Sequence, residues 1–283
     1  MQGNETRGSS DAPGSEQILE AAVEAAQAAA EVIRSASGGT GTLEWESKGA
    51  ADFVTEVDRA AEATIDRVLK EHFPVAVVIG EELSPGGALA APGLKFVVDP
   101  LDGTTNFLHR YPHYAVSIGA LLDSTLVAAV VVNVTARDCF TATAGKGAFQ
   151  NGTSISVSSR TDVSRALIGT GFPFKQQNLL ERYSRQFIAV SRETAGIRRA
   201  GSAALDLADV ACGRFDGFWE LDLAPWDIAA GILLVREAGG VVTSWDGAFR
   251  DTAAGPVVAG NPDIHRWLLK TAREADGNPD IAE

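Results

Sequence analysis

Apolar residues at Ile18, Leu19, Ala22, Val23, Ala26, Ala29, Ala30 and Ile33 recur at spacings of three and four, which predicts an Ala-rich amphipathic helix over 16–34. A second helix is expected over 56–70, with Val57, Ala60, Ala61, Ile65, Val68 and Leu69 as its buried stripe. Its start, Thr55-x-x-Asp58, has the form of a capping box. Strands are predicted near 75–79, 95–99, 115–122, 126–133 and 139–144, and Asn151-Gly152 supplies a hairpin-type turn. Lys95 to Val98 reads as a short buried strand that Pro100 stops. Further helices are expected over 178–192 and 203–212, then from about Trp226 to a stop at Gly239-Gly240. The last begins at Asn261-Pro262, an N-cap followed by proline at the first helical position. Strands and helices interleave without strict alternation, which favours a layered α/β fold over a doubly wound sheet.

The ends differ from this patterned body. Met1 to Gly14 is polar and rich in Gly, Ser and Asn, and lacks the basic and apolar regions of a secretory signal. The expected organisation is a disordered tail over 1–15, one catalytic domain over 16–275 with halves of about 16–150 and 151–275, and a short tail over 276–283. The longest candidate for membrane insertion, Leu126 to Val132, is far too short to span a bilayer. With 283 residues, 45% of them hydrophobic, the chain can hide roughly three quarters of its unfolded surface. A net charge of −13 argues against a general nucleic-acid surface and fits an enzyme that holds divalent cations. Cys139 and Cys212 have no C-x-x-C spacing and read as reduced, buried thiols of a cytoplasmic protein.

The chemistry concentrates in Asp99-Pro100-Leu101-Asp102-Gly103-Thr104-Thr105-Asn106-Phe107. Two carboxylates three residues apart, where an apolar strand breaks, repel each other unless one keeps its proton or a cation sits between them. The hydroxyls and free amides of Gly103, Thr104 and Thr105 beside them suit a phosphate. Taken alone, an Asp-rich capped turn explains a D-x-x-D-G as well.

The nine residues closely resemble the metal-binding signature of the inositol monophosphatase family. Four further blocks are similar to that family and follow its order: Asp52 to Asp58, Val77-Val78-Ile79-Gly80-Glu81-Glu82, Gly201-Ser202-Ala203-Ala204, and Pro225 to Gly231 with its Trp226-Asp227 pair. Together they span about residues 48 to 262. The resemblance implies an αβαβα sandwich and a Mg²⁺-dependent phosphomonoesterase with two or three cations, Mn²⁺ being able to substitute. It assigns Glu81, Asp99, the Leu101 carbonyl, Asp102 and Asp227 as metal ligands, and Thr104, Asp58 and Glu81 as the groups that prepare the attacking water. Substrate contacts fall on Asp102, Gly103, Thr104, Thr105, Gly201, Ser202, Ala203 and Glu220, the last placed to accept from an inositol hydroxyl. The substrate implied is inositol monophosphate or another small sugar or polyol phosphate, with fructose 1,6-bisphosphate and histidinol phosphate as alternatives. Lithium sensitivity and a homodimer are implied as well. A binding role with the transcription antitermination machinery is the alternative of another class.

Several residues keep a second reading. Asp58 as a capping residue, Asp227 as a first-turn acid favoured by the helix dipole, and Glu220 as a solvated strand end each fit the sequence without any site. Glu82 is either an acceptor behind Glu81 or a solvated neighbour. The Gly- and Pro-rich run from Gly86 to Gly93 is a mobile loop beside a ligand or a tolerated surface insertion. His109 and His113 are four apart, but Pro112 between them opposes the continuous helix a zinc pair needs. Gly145-Lys146-Gly147-Ala148-Phe149-Gln150 lacks the third glycine of a dinucleotide fingerprint, and no P-loop is present.

Overall fold

A computed structural model describes residues 13–37, 45–49, 52–83, 89, 91–248 and 254–277. Residues 1–12 of the tail expected over 1–15, half of the Gly86–Gly93 loop and the residues after 277 lie outside these. Two helices, α1 (Ser15–Ser37) and α2 (Glu56–His72), flank a hairpin of β1 (Trp45–Gly49) and β2 (Asp52–Thr55). They cover one face of a seven-stranded sheet whose spatial order is the chain order: β3 (Val77–Gly80), β4 (Leu94–Asp102), β5 (Ala115–Leu122), β6 (Thr125–Asn133), β7 (Cys139–Thr143), β8 (Gly147–Gln150) and β9 (Thr153–Ile155). All neighbours in it are antiparallel except β3 and β4. A short helix, α3 (Thr104–Leu108), follows β4.

The second half builds a five-stranded sheet. Its chain order is β10 (Leu167–Thr170), α4 (Leu180–Glu193), β11 (Gly196–Arg198), α5 (Ala203–Ala211), β12 (Gly217–Leu223), α6 (Pro225–Glu237), β13 (Val241–Thr243), β14 (Gly255–Gly260) and α7 (Pro262–Ala275), and its strand order is β11-β10-β12-β14-β13. Helices α5 and α6 lie between the two sheets and α4 with α7 covers the outer face, giving the αβαβα sandwich. No helix among the described residues is long and apolar enough to cross a membrane.

Each interface has its own core. Ala21, Ala22, Ala25, Ala26, Ala29 and Ala30 of α1 are buried against α2 and the sheet, the small side chains allowing close approach. Leu19 and Val23, expected on this stripe, sit at its edge, and Ala21 and Ala25 take the central places. The stripe of α2 differs more. Ala60 is exposed, and Asp58 and Glu62 are buried with Ala61, Ile65, Val68 and Leu69. Two acids therefore occupy the inward face of a helix, which is tolerated because backbone amides and hydroxyls satisfy them.

Pro100 does not end its strand. β4 continues to Asp102, with a register shift in which Asp99 faces Ser117 and Asp102 faces Ala115, three steps on β4 against two on β5. This bulge absorbs one extra residue, and proline, which lacks an N–H, is tolerated there. In a regular strand residues three apart point to opposite faces. The extra residue brings Asp99 and Asp102 to the same cavity.

Short strands were the least visible elements. β9, β11 and β13 are three residues long and β10 is four, too few for a period to show. Cys139 and Cys212 are free and half-buried rather than fully buried.

Candidate active site

One cavity of ≈ 420 Å³ opens where the β4 bulge, α3, the segment after β10, the start of α5 and the start of α6 meet. It is lined by Glu81, Asp99, Leu101, Asp102, Gly103, Thr104, Thr105, Gly201, Ser202, Ala203, Glu220 and Asp227, so every site residue expected from sequence except Asp58 reaches it directly. Its size suits a small ligand.

Asp58 stands one hydrogen bond behind. Thr104 Oγ1 lies 3.0 Å from Asp58 Oδ1 and 3.1 Å from the Leu101 carbonyl. The other carboxylate oxygen, Asp58 Oδ2, accepts from the Thr55 amide at 2.9 Å and from the Thr55 hydroxyl. The capping reading and the functional reading therefore hold together: one oxygen caps α2, the other faces Thr104. Burial, the leading effect, pushes the Asp58 carboxyl up against the opposing hydrogen bonds.

Gly103 begins α3 with φ 97°, and a side chain there would press the His113 carbonyl at 3.1 Å and the Gly201 carbonyl at 3.3 Å. Asn106 ties the same corner across the two halves, its Nδ2 donating to the carbonyls of His113 at 2.7 Å and Ala200 at 2.9 Å. Ser202 caps α5 and donates to Asp102 Oδ2 at 2.6 Å, which also accepts from the Ala204 amide at 2.7 Å. Asp227, in the first turn of α6, accepts from the Ala224 amide at 2.7 Å, so it too both caps a helix and lines the cavity.

The electrostatics of the cavity are those of anions short of counter-charge. Asp99 is driven well above the usual carboxylate range, first by burial and then by Glu81, Asp102 and Asp227. Burial and the charge of Asp102 raise Asp227 to about 7, against the Ala224 amide and Lys175. Burial also raises Asp102, although Ser202, the Ala203 and Ala204 amides and Arg199 oppose it. A bound dication relieves all of these at once. The donors are carboxylates, a carbonyl and a hydroxyl, with no imidazole or thiol lining the cavity among the described residues, a set that fits hard divalent cations such as Mg²⁺. Among the described residues no cluster of three or more such side chains is already closed around one point. One oxygen of Asp102 is held by Ser202 and the Ala204 amide, and one of Asp227 by the Ala224 amide.

Several residues that shape the site were not among those expected from sequence. Glu62 is buried on α2, and its oxygens accept from the amides of Glu82 at 2.8 Å and Leu83 at 2.9 Å, fixing the turn that carries Glu81. Gly80 leaves room for it, since a Cβ there would come 2.1 Å from Glu62 Oε1. Its position four residues after Asp58, on the same helical face, is the signal that was available. Lys175 Nζ approaches Glu81 Oε1 at 3.9 Å. Arg199 lies over the rings of Phe172 and Phe174 at 5.2 and 4.7 Å from their centroids. Glu220 is no solvated strand end: it is half-buried, and its carboxyl group lies where a Cβ on Gly171 would come within 2.1 Å. His109 and His113 lie outside the cavity, and Gly145 to Gln150 form the β7–β8 turn and strand β8.

This combination of layered sandwich and carboxylate-lined cavity defines a class. A model of the inositol monophosphatase family matches residues 15–276, and the chain belongs to that family. Fold and family support a metal-dependent phosphatase. Within the family, the chain is 45% identical over 260 residues to the Nus factor SuhB of Pseudomonas aeruginosa, covering 90% of this chain and 95% of that protein. Among solved structures, the extragenic suppressor protein suhB of Bartonella henselae is 39% identical with a TM-score of 0.84, covering 91% of this chain and 98% of that one. The inositol monophosphatase of Anabaena is 36% identical with a TM-score of 0.82, covering 92% and 96%.

Proposed function

We propose that the chain is a Mg²⁺-dependent phosphomonoesterase acting on inositol monophosphate or a related small sugar or polyol phosphate. The observation that carries this reading is the convergence of Glu81, Asp99, Asp102 and Asp227 on one cavity beside the Thr104–Asp58 hydrogen bond. Glu81, Asp99, the Leu101 carbonyl, Asp102 and Asp227 would hold two or three cations, with Mn²⁺ able to substitute. Cations bound there supply positive charge to the phosphoryl oxygens and the departing alkoxide and make a bound water more acidic.

The chain's own residues do the rest. Thr104 Oγ1 donates to Asp58 Oδ1, which leaves its lone pairs free to accept a proton from the attacking water. As the water oxygen forms its bond to phosphorus, that proton moves to Thr104 and the threonine proton moves to Asp58. Burial suits Asp58 to receive it, because it raises the carboxyl's affinity for a proton. The ester oxygen leaves with the bonding pair and is protonated from solvent. The amides of Gly103 and Thr104, exposed by the left-handed turn, hold phosphate oxygens, and Ser202, Ala203 and Glu220 face the alcohol. Among the described residues no imidazole lines the cavity, and this reading gives its carboxylates to cations and to substrate hydroxyls, which leaves water as the nucleophile.

Inorganic phosphate release from a panel of inositol, fructose, histidinol and simple phosphate esters tests the substrate. Preference for the polyol esters is expected. Equal rates across the panel contradict the polyol reading.

A second reading is favoured by one observation, the likeness to the Nus factor SuhB of Pseudomonas aeruginosa. Under it the chain binds the transcription antitermination machinery, through protein contacts rather than RNA given a net charge of −13. Co-migration of the purified chain with purified antitermination factors on gel filtration tests this, and separate elution of the components contradicts it.

A further inference from the structure

Asp206 lies on the fourth residue of α5, one turn beyond the Ser202 cap, and forms part of the cavity wall. It is buried, and among the described residues its Oδ1 has no hydrogen-bond partner. A buried carboxyl oxygen left unpaired costs stability, and Asp206 lines the cavity from which a partner can reach it. The missing partner must come from the cavity.

The surroundings say what kind of partner that is. Glu220 is the charge that acts most strongly on Asp206, followed by Asp102 and Asp209, with Arg199 opposing them. Glu220 projects from β12 into the same cavity, over the bare backbone of Gly171. Arg199, fixed over Phe172 and Phe174, acts on both acids, a single positive charge against two carboxyls. Burial drives Asp206 and Glu220 both well above the usual carboxylate range, so a ligand that brings hydrogen-bond donors without adding negative charge relieves them. A hydroxyl both donates and accepts, so it completes such a pair. A second anionic group meets excess acid, and Arg199 already places a cation beside both carboxyls.

We propose that Asp206 is a second hydroxyl-reading group, which works beside Glu220 to recognise two neighbouring hydroxyls of a ring polyol. The inference rests on the phosphatase reading above and adds to it a residue and a substrate geometry: a phosphate ester with adjacent hydroxyls on the ring.

The test is kcat/KM for inositol monophosphate and for phenyl phosphate, which has no hydroxyls to read, in the wild type, Asp206→Ala, Asp206→Asn and Asp206→Leu, each with its melting temperature. The polyol-to-phenyl ratio should fall about tenfold in Asp206→Ala and Asp206→Leu. In Asp206→Asn, which keeps a donor and an acceptor in place, it should stay within about threefold of wild type. A merely structural Asp206 would lower the melting temperature and both rates together, leaving the ratio intact. That result in a folded variant overturns the inference while the phosphatase reading stands, and Asp206→Leu keeps the test open if the alanine variant does not fold. A wild type that hydrolyses neither ester with Mg²⁺ present overturns the phosphatase reading and the inference with it.

Discussion

Asp227→Asn exchanges a carboxylate for an amide of the same shape, able to keep the acceptor for the Ala224 amide at 2.7 Å. In the metal-free protein it removes a charge that burial and Asp102 oppose. Asp227 titrates at about 7 in the fold against 3.8 for an ordinary aspartate. That is about three powers of ten in the ionisation constant, and at about 1.4 kcal/mol each it amounts to about 4 kcal/mol. Because the folded value is the higher one, the folded state holds the proton more tightly. Stability is complete below pH 3.8 and is lost as pH rises to about 7. Coupling to Asp102 shares some of this, so Asp227→Asn should stabilise the chelated protein at pH 8 by about 2–4 kcal/mol, roughly 4–8 °C in melting temperature. At pH 4 the gain should vanish. The assay is thermal unfolding in a chelator at pH 4, 6 and 8, repeated with Mg²⁺, which should raise the melting temperature of the wild type far more than that of the variant. Equal destabilisation at every pH, with an unchanged response to Mg²⁺, would reduce Asp227 to a helix cap and refute the reasoning.

Three other outcomes follow from the same geometry. Thr104→Ala and Asp58→Asn should each slow phosphate release by about 10²–10⁴-fold, and the double variant should be hardly slower than either alone; additive losses in a double-mutant cycle would show that Asp58 only caps α2. Glu220→Gln should lower kcat/KM for the preferred polyol ester by about ten- to a hundredfold and a simple phosphate ester far less, and equal losses on both would move Glu220 into the catalytic or structural set. The homodimer implied by the family resemblance has an apolar groove available to it, with Phe174, Leu180, Phe187 and Ile188 exposed along it. Sedimentation should give twice the chain mass and Phe187→Glu should halve it, whereas a monomeric wild type contradicts the dimer.

What the sequence revealed, and what it hid, divides along physical lines. The helix α1 announces itself because its apolar residues keep one spacing over 23 residues, and β5 and β6 because they are mostly apolar runs of 8 and 9 residues. The Asp99 to Phe107 run was legible because two acids, a proline and a glycine in nine residues satisfy few structural needs at once. Its geometry was not, because Pro100 reads as a strand stop, whereas here it marks a bulge that keeps Asp99 and Asp102 on one side. Glu62 and Asp206 stayed hidden for another reason. Each is an acid in a helix, the most ordinary surface residue there is, and only the packing of α2 against the Glu81 turn and of α5 against the cavity makes them buried. The contacts of Asn106 with Ala200 and of Lys175 with Glu81 join residues about ninety apart, beyond any local pattern.

The central claim is that the carboxylates of this cavity act through bound cations to hydrolyse a phosphate ester. Its most direct test is inorganic phosphate release from inositol monophosphate by the wild type and Asp99→Asn, after exhaustive chelation and again with Mg²⁺ restored. The account predicts that chelation abolishes turnover in the wild type, that Mg²⁺ restores it, and that Asp99→Asn, though folded, stays slower than the wild type by orders of magnitude once Mg²⁺ is restored. Full turnover without divalent metal, or an Asp99→Asn variant as fast as the wild type, would contradict it.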